Sequence, residues 1–390
     1  MSVAGLDALL SPEGWPYAST PPVEPGDPGR FHALFGRDSL ITSLQVLPER
    51  PDVARATLRA LAALQGTSED PASGEEPGKI GHEFRPRPPE PFVRAGWPEA
   101  GEFRYYGTAD ATSWFVVLLA ATGDGALAAE LEAAWRAAGD WLARALDRGD
   151  GLVRHVPGTL PGGLTQQGWR DANDPAERST EAGGFLRPDG SAPRHPLADV
   201  DSQAAAHAAL RALGALSGEP GWARRAAALR ERLGALGPDA VAVEAGDQPV
   251  PGAGSQLGWL LWAGALEGEG REAAAERLCA PDVLTPYGLR TLSSESPVFH
   301  PHAYHRGSIW PFDSWLGWGG LRAAGREAEA ERVRGGVLAA LDRLGRAPEL
   351  YAVTAAGELE PMAIANRVQA WTVGARWALE HGWDGRLSAS

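Results

Sequence analysis

Apolar residues recur at intervals of three and four positions along most of this chain, which is the spacing of helices that bury one face. The pattern predicts a series of helices, preceded by a short one near residues 4–10. The series covers 39–47, 51–66, 110–122, 126–147, 201–214, 220–236, 254–266, 270–280, 312–324, 327–345 and 364–382. Candidate N-caps are Asp110 or Thr112, Asp199 or Asp201, and Asp313. Strand-like alternation is confined to short stretches, chiefly 240–250.

The connections between these helices alternate between short and long. Long connections, rich in Gly, Pro and carboxylates, span 68–109, 149–198, 281–308 and 346–363. Antiparallel helices place alternate connections at opposite ends, so all the long loops are expected on one face. That face also collects most of the Trp, Tyr, His and paired acids, a layout typical of an enzyme with one crowded mouth.

Five helical hairpins and an unpaired helix, with the N-terminal helix as its partner, predict an all-α fold: an (α/α)6 barrel, a toroid of six hairpins. The alternative is an open α-solenoid, which stacks helix pairs without closing. A solenoid would show a sequence repeat, and none is visible. We expect a single catalytic domain over 1–390, because the proline-rich stretch 68–94 holds polar and aromatic residues typical of a packed loop.

Composition excludes several classes of protein. The formal net charge of −14 argues against nucleic acid as a partner. The N-terminus lacks a signal-peptide pattern and no apolar run approaches ~18 residues, so we expect a cytoplasmic protein without a membrane partner. No nucleotide-binding or serine-hydrolase motif is present, and no cofactor is expected. The 15 Trp residues either fill the core or offer surfaces on which sugar rings stack.

Three acidic segments are candidates for chemistry. Arg37 and Asp38 open the first core helix, where Asp38 either caps the helix or binds sugar hydroxyls. The loop 164–175 carries Asp171 and Asp174, of which one could be a general acid whose carboxyl is kept protonated by an aromatic wall and a neighbouring charge.

Glu349 stands between apolar residues in the fourth long loop, which favours partial burial of its carboxylate. A carboxylic acid and a carboxylate on opposite sides of one mouth are what glycoside hydrolysis requires. One protonates the leaving oxygen, and the other activates water.

The segment 300–313 groups three histidines with aromatic residues. A metal site is one interpretation, but the spacing matches no standard zinc pattern and no metal is expected. The alternative is a wall that stacks on, and hydrogen-bonds to, a substrate.

Six segments, in the family's order, together resemble the catalytic domain of bacterial glycogen-debranching-type amylo-α-1,6-glucosidases. This group lies within the six-hairpin glycosidases, with the trehalases, glucoamylases and mannosylglycerate or glucosylglycerate hydrolases. The segments are FGRDSLI at 35–41, GKIGHEFR at 78–85, YYGTADATSWF at 105–115, LTQQGWRDAND at 164–174, the stretch 287–313, and PELY at 348–351.

The resemblance implies an (α/α)6 barrel that hydrolyses α-glucosidic bonds with inversion. It implies that Asp171 or Asp174 is the general acid, with Asp171 the better match to debranching enzymes, and that Glu349 is the base. Positions matched to substrate contacts, extended by three neighbouring polar residues of the same segments, are Arg37, Asp38, His82, Glu83, Asp110, Trp169, Asp199, Tyr304, His305 and Trp310.

Two departures bear on the substrate. FGRD begins at residue 35, without the β-rich domain that usually precedes it in debranching enzymes, and the usual Val-Glu-Val-Gln segment is Ala-Asp-Val-Asp at 198–201. Both make a small compatible-solute glycoside, such as glucosylglycerate or mannosylglycerate, an alternative to an oligosaccharide. The residues are also compatible with a phosphorylase, with an isomerase that uses His302 and His305, and with a non-catalytic glycan-binding relic. The sequence leaves the oligomeric state open.

Overall fold

The structure is a computed structural model that describes residues 3–21, 31–159, 163–171 and 184–387. The fold is predominantly helical, as the sequence predicts. After a 3-10 helix at Asp7–Leu9, the helices of the described ranges are α1 (Gly36–Gln45), α2 (Pro51–Ala63), α3 (Glu90–Arg94), α4 (Ala111–Thr122), α5 (Gly125–Glu130), α6 (Glu132–Arg148), α7 (Val200–Ser217), α8 (Pro220–Gly234), α9 (Gln256–Trp262), α10 (Gly268–Leu278), α11 (Pro311–Ala323), α12 (Glu327–Leu344) and α13 (Ala370–His381).

Short strands lie in the connections, and the sequence indicated only the pair near 240–250. They are β1 (Leu34–Phe35), β2 (Glu83–Arg85), β3 (Phe103–Tyr105), β4 (Ala198–Asp199), β5 (Ala240–Glu244), β6 (Gln248–Pro251), β7 (Leu284–Thr285), β8 (Gly288–Leu289), β9 (Tyr351–Val353) and β10 (Leu359–Pro361). They pair antiparallel, in the orders β1-β2-β3, β4-β5-β6, β7-β8 and β9-β10. The long loops are therefore partly ordered as small sheets.

The helices contact one another in a cyclic order. In the sequence α1, α4, α7, α9, α11 and α13, each helix packs against the next, and α13 packs back against α1. A second set consists of α2, α6, α8, α10 and α12, and each of these helices packs on the helix of the first set that precedes it in the chain. This order of contacts fits an α/α toroid with an inner and an outer layer.

Burial separates the two layers. Every residue of α1 is buried, whereas α2 buries a single stripe formed by Val53, Ala54, Thr57, Leu58 and Leu61. A helix buried all round belongs to the inside of a protein, and an amphipathic one covers it.

Helix boundaries and caps differ in part from the predictions. Asp199 caps α7, because its side chain accepts a hydrogen bond from the Ser202 backbone N–H. Asp110 and Asp313 make no capping hydrogen bond. Asp110 stands at the N-cap of α4, but its carboxylate is bound by Arg37 and makes no capping bond, and Asp313 lies inside α11, where it accepts a hydrogen bond from Trp259. The last helix begins at 370 rather than 364, because the preceding residues are used by the site described below.

Close packing of α9 on α11 depends on glycines. A Cβ on Gly320 would lie 2.3 Å from the carbonyl oxygen of Gly258, and a Cβ on Gly258 would lie 2.5 Å from Cα of Gly317. Contacts this short with backbone atoms cannot be relieved by turning a side chain, so the two helices approach only because side chains are missing.

We therefore expect Gly320→Ala to lower the free energy of unfolding by about 1–3 kcal/mol through overpacking. The matched control is Gly335→Ala on the exposed side of α12, where a Cβ meets nothing within 4 Å. That change should raise the free energy by about 0.5–1 kcal/mol, since Ala is the better helix former. Urea unfolding measures both, and equal effects would contradict the close approach.

Candidate active site

The N-terminal ends of the inner helices converge on one region. Residues at or next to these ends contact one another: Arg37 binds Asp110, and Gln369 binds Asp38. The N-cap positions of the six helices are Phe35, Asp110, Asp199, Ser255, Trp310 and Gln369. Helix N-termini carry partial positive charge, which favours carboxylates, so this end of the ring suits acidic side chains.

Arg37 organises one side of this region. Its Nε donates to both carboxylate oxygens of Asp110, at 2.9 and 2.8 Å, and its Nη1 donates to Asp171 Oδ2 at 2.8 Å. Arg37 is 1% exposed. Asp110 thus fixes the guanidinium, and the guanidinium in turn fixes the carboxyl of Asp171.

The environment of Asp171 favours a carboxyl that can hold a proton near neutral pH. Burial raises the pKa of Asp171 to about 6, while Arg37 opposes the rise and the negative charge of Asp110 adds to it. A group with this pKa is protonated in an appreciable fraction of molecules and can donate its proton.

Glu349 is held from both sides. The Tyr304 hydroxyl donates to Oε1, and the backbone and side-chain nitrogens of Asn366 both donate to Oε2 at 3.0 Å. The residue is 1% exposed. Donors on both oxygens fit the ionised form, which is the form that can accept a proton from water.

Contacts through neighbouring residues place Asp171 and Glu349 at the same site. Tyr304 binds Glu349, and the adjacent His305 donates from Nε2 to the backbone carbonyl of Asp171 at 3.1 Å. Burial raises the pKa of Asp38 to about 8; Arg37 opposes this, and the charges of Asp171 and Glu349 both contribute. Asp171 and Glu349 therefore both lie close enough to Asp38 to raise its pKa.

Aromatic rings form one wall beside these acids. His305 stacks on Trp310, with centroids 5.1 Å apart and an interplanar angle of 7°, and Trp169 meets both rings edge-on at 5.3 and 5.4 Å. Trp169 is 1% exposed and Trp310 2%. Most of the surface of these two rings is thus core packing, and their contact with a substrate stays a prediction.

His82 and Glu83 reach the site from β2. His82 Nε2 lies 3.9 Å from Asp171 Oδ2, and burial lowers the pKa of the ring well below its ordinary value, so the imidazole is neutral. Glu83 forms an ion pair with Arg85, and burial raises its pKa. His82 thus lies beside Asp171, and the contacts of His82 and Glu83 with substrate stay predictions.

Asp199 has a supporting position. Its Oδ1 caps α7 at 2.7 Å from the Ser202 nitrogen, and its carboxylate packs so closely on Gly168 that a Cβ there would lie 2.6 Å away. It therefore supports the loop that carries Asp171. Its predicted contact with substrate stays a prediction.

The histidines of the segment 300–313 do not share a ligand set. His302 lies 2.8 Å from Glu360, whereas His305 turns to the loop of Asp171. Among the described residues there is no group of three His, Cys, Asp or Glu side chains arranged to hold a metal ion.

Asp174 lies outside the described residues, so the structure says nothing of its part in the site. Site residues that the sequence reasoning missed are Thr108, Arg170, Asp201, Asn366 and Gln369. Gln369 lies inside the helix predicted over 364–382, so nothing marked it as the residue before that helix. Arg170, Asp201 and Asn366 carry no pattern, because their partners lie far away in sequence, whereas Thr108 lies two positions from Asp110, to which it donates.

Among the helices of the described ranges, none is both long enough and apolar enough to cross a membrane.

Comparison with known families gives the class of this protein. The model of the mannosylglycerate hydrolase MGH1-like glycoside hydrolase domain matches residues 50–358, which is most of the chain. The protein is thus a glycoside hydrolase of the six-hairpin class. Within that class, the chain belongs to the MGH1-like glycoside hydrolase family. No curated protein sequence matches it.

Solved structures resemble the fold over nearly its whole length. The GH63 mannosylglycerate hydrolase from Thermus thermophilus, in complex with Tris and D-glycerate, has a TM-score of 0.67 at 20% identity, covering 96% of this chain and 98% of that one. The same enzyme in complex with glucose gives 0.65 at 19%, covering 97% of each chain. A wild-type glycosidase gives 0.57 at 16%, covering 99% and 95%. At these identities the likeness concerns the fold.

Proposed function

We propose that this protein is an inverting hydrolase of a small α-glycoside with an acidic aglycone, of the glucosylglycerate or mannosylglycerate type. The observation that carries the proposal is the convergence of Asp171 and Glu349, in different protonation environments, in a chain of the MGH1-like family. It supports the small-glycoside alternative, and the comparisons give no support to glycogen debranching. We also propose that 1–390 is one catalytic domain and a closed (α/α)6 barrel.

In this mechanism, Asp171 gives its proton to the glycosidic oxygen as the bond to the anomeric carbon breaks. Glu349 takes a proton from a water molecule, whose oxygen bonds to that carbon from the opposite face. The configuration is therefore inverted. Arg37, held by Asp110, stabilises the carboxylate that Asp171 becomes when its proton has left.

Neutral His82 and the ring of His305 would hold the sugar without competing for the proton of the acid. Burial lowers the pKa of both rings well below the ordinary value. His305 donates from Nε2 to the Asp171 carbonyl, which leaves Nδ1 as an acceptor, and that atom has no partner among the described residues. A sugar hydroxyl is a suitable donor to it.

The test is a substrate panel. Mannosylglycerate, glucosylglycerate, trehalose, isomaltose and a limit dextrin are each incubated with the protein, and NMR follows the anomer that appears first. We expect hydrolysis of a glycerate glycoside with the β-anomer appearing first. Hydrolysis of isomaltose or dextrin alone would favour debranching, turnover only with phosphate would indicate a phosphorylase, and binding without turnover would indicate a relic.

The rate should fall as pH rises through about 6. Asp171 acts in its protonated form, and burial raises its pKa to about 6, so the acid is active below that pH and is lost above it. A pH profile of kcat/KM on the best substrate measures this basic limb. A rate that stays flat to pH 8 would contradict Asp171 as the acid.

A further inference from the structure

A chain of buried side chains connects Glu349 to the first inner helix. Asn366 Nδ2 is 3.0 Å from Glu349 Oε2 and 3.3 Å from Gln369 Oε1, and Gln369 Nε2 donates to Asp38 Oδ2 at 3.1 Å. Asn366 and Gln369 are each 1% exposed. An amide nitrogen carries two hydrogens, so Asn366 uses both, and the orientation of the two amides is fixed by the acceptors on either side.

The backbone strengthens this link. The Asn366 nitrogen donates to Glu349 Oε2 at 3.0 Å, and the Glu349 nitrogen donates to the Asn366 carbonyl, also at 3.0 Å. One residue thus holds Glu349 by its main chain and by its carboxylate. With two donors on Oε2 and Tyr304 on Oε1, the plane of the carboxylate is fixed.

We propose that Asn366 is a positioning residue for the base of the hydrolysis. It holds Glu349 in one orientation and in its ionised form, and through Gln369 it fixes the position of Asp38 relative to Glu349. The inference rests on the proposed function. Asn366 was not among the residues that the sequence pointed to, and a donor at this position is needed because the side chain of Glu349 can only accept when it is ionised.

The buried surroundings of Glu349 make the donor important. Asp38, on α1, places a second acid near Glu349, and the titratable hydroxyl of Tyr304 donates to the carboxylate. Burial disfavours the ionised form of a carboxyl group, and hydrogen bonds donated to that form favour it. Asn366 therefore offsets the cost of burying the ionised carboxylate of Glu349, which is 1% exposed, and its removal should make Glu349 harder to ionise.

The experiment compares Asn366→Ala and Asn366→Asp with the parent protein on the best substrate. For Asn366→Ala we expect the acid limb of the kcat/KM profile to move up by about 1 pH unit, with kcat reduced about tenfold and KM changed less than about threefold. Asn366→Asp should move the limb further, because it replaces a donor by a like charge. Gln369→Ala, which keeps Asn366, should give a smaller shift in the same direction.

The control is Gln256→Met. Gln256 is an equally buried amide on α9 that donates only to the backbone carbonyls of Ala240 and Gly252. We expect it to leave the pH limb in place even if it lowers stability. A purely structural role for Asn366 would make its variants behave like this control, and an unmoved limb in Asn366→Ala and Gln369→Ala would overturn the inference.

A second readout separates this inference from the proposed function. Carbon-13 NMR of labelled Glu carboxyls gives the titration of Glu349 without substrate, and the signal is identified by its loss in Glu349→Gln. An upward shift of this titration in Asn366→Ala supports the positioning role even if no glycoside is hydrolysed. If the glycoside is hydrolysed but the titration of Glu349 does not move in Asn366→Ala, the proposed function stands and the positioning role of Asn366 is excluded.

Discussion

Glu349→Gln should lower kcat by roughly 10³-fold and leave the fold intact, because a general base typically contributes about 10²–10⁴-fold. The amide cannot take a proton from water. It can keep its oxygen towards the two nitrogens of Asn366, while its NH2 group donates to Tyr304, whose hydroxyl turns away. The surroundings of residue 349 thus tolerate the amide. The expected loss of kcat comes from the missing base and not from disturbed packing.

The measurement is kcat on the best substrate together with the melting temperature of the variant. Glu358→Gln is the matched control, since Glu358 is an exposed residue of the same loop region. We expect it to retain activity within about twofold, as surface changes usually do little. Added azide, which needs no base, should restore turnover of Glu349→Gln as a glycosyl azide of inverted configuration. A normal rate in Glu349→Gln would exclude this residue as the base.

The helical architecture could be predicted from the sequence because its cause is local. Inner helices such as α1 and outer helices such as α2 both carry apolar residues at helical spacing, and caps and glycines mark many of their ends. The late start of α13 could not be predicted, because Asn366 and Gln369, which precede it, contact the distant Glu349 and Asp38. The break at Leu131 between α5 and α6 was not predicted either.

The site residues likewise divide into those that short motifs in the sequence mark and those that no motif marks. Asp171, Glu349 and Arg37 were found because short motifs mark them, and the structure joins Asp171 to Arg37 across 134 positions of sequence. Arg170 illustrates what was missed. Its buried guanidinium pairs with Asp201 at 3.2 Å and donates to Ser255 at 3.1 Å, and so anchors the residue next to Asp171. No spacing in the sequence relates these partners, since only the tertiary fold brings them together.

The two Asp residues of the loop 164–175 differ in what their removal should do. Asp171→Asn should lower kcat by roughly 10³-fold on a glycerate glycoside, whose alkoxide leaving group needs a proton. On an α-glycosyl fluoride, where the leaving group departs without one, the same variant should keep its rate within about tenfold. Asn can still accept the bond from Arg37 through its oxygen, so the loop keeps its anchor.

Asp174→Asn is the matched change three residues away in the same loop. If Asp171 is the acid, this variant should stay within about tenfold of the parent on both substrates, and it should keep the basic limb near pH 6 that burial of Asp171 gives. Asp171→Asn should lose that limb on the glycerate glycoside. The opposite outcome, with the fluoride rescuing Asp174→Asn and not Asp171→Asn, would assign the proton to Asp174 and leave Asp171 as the partner of Arg37.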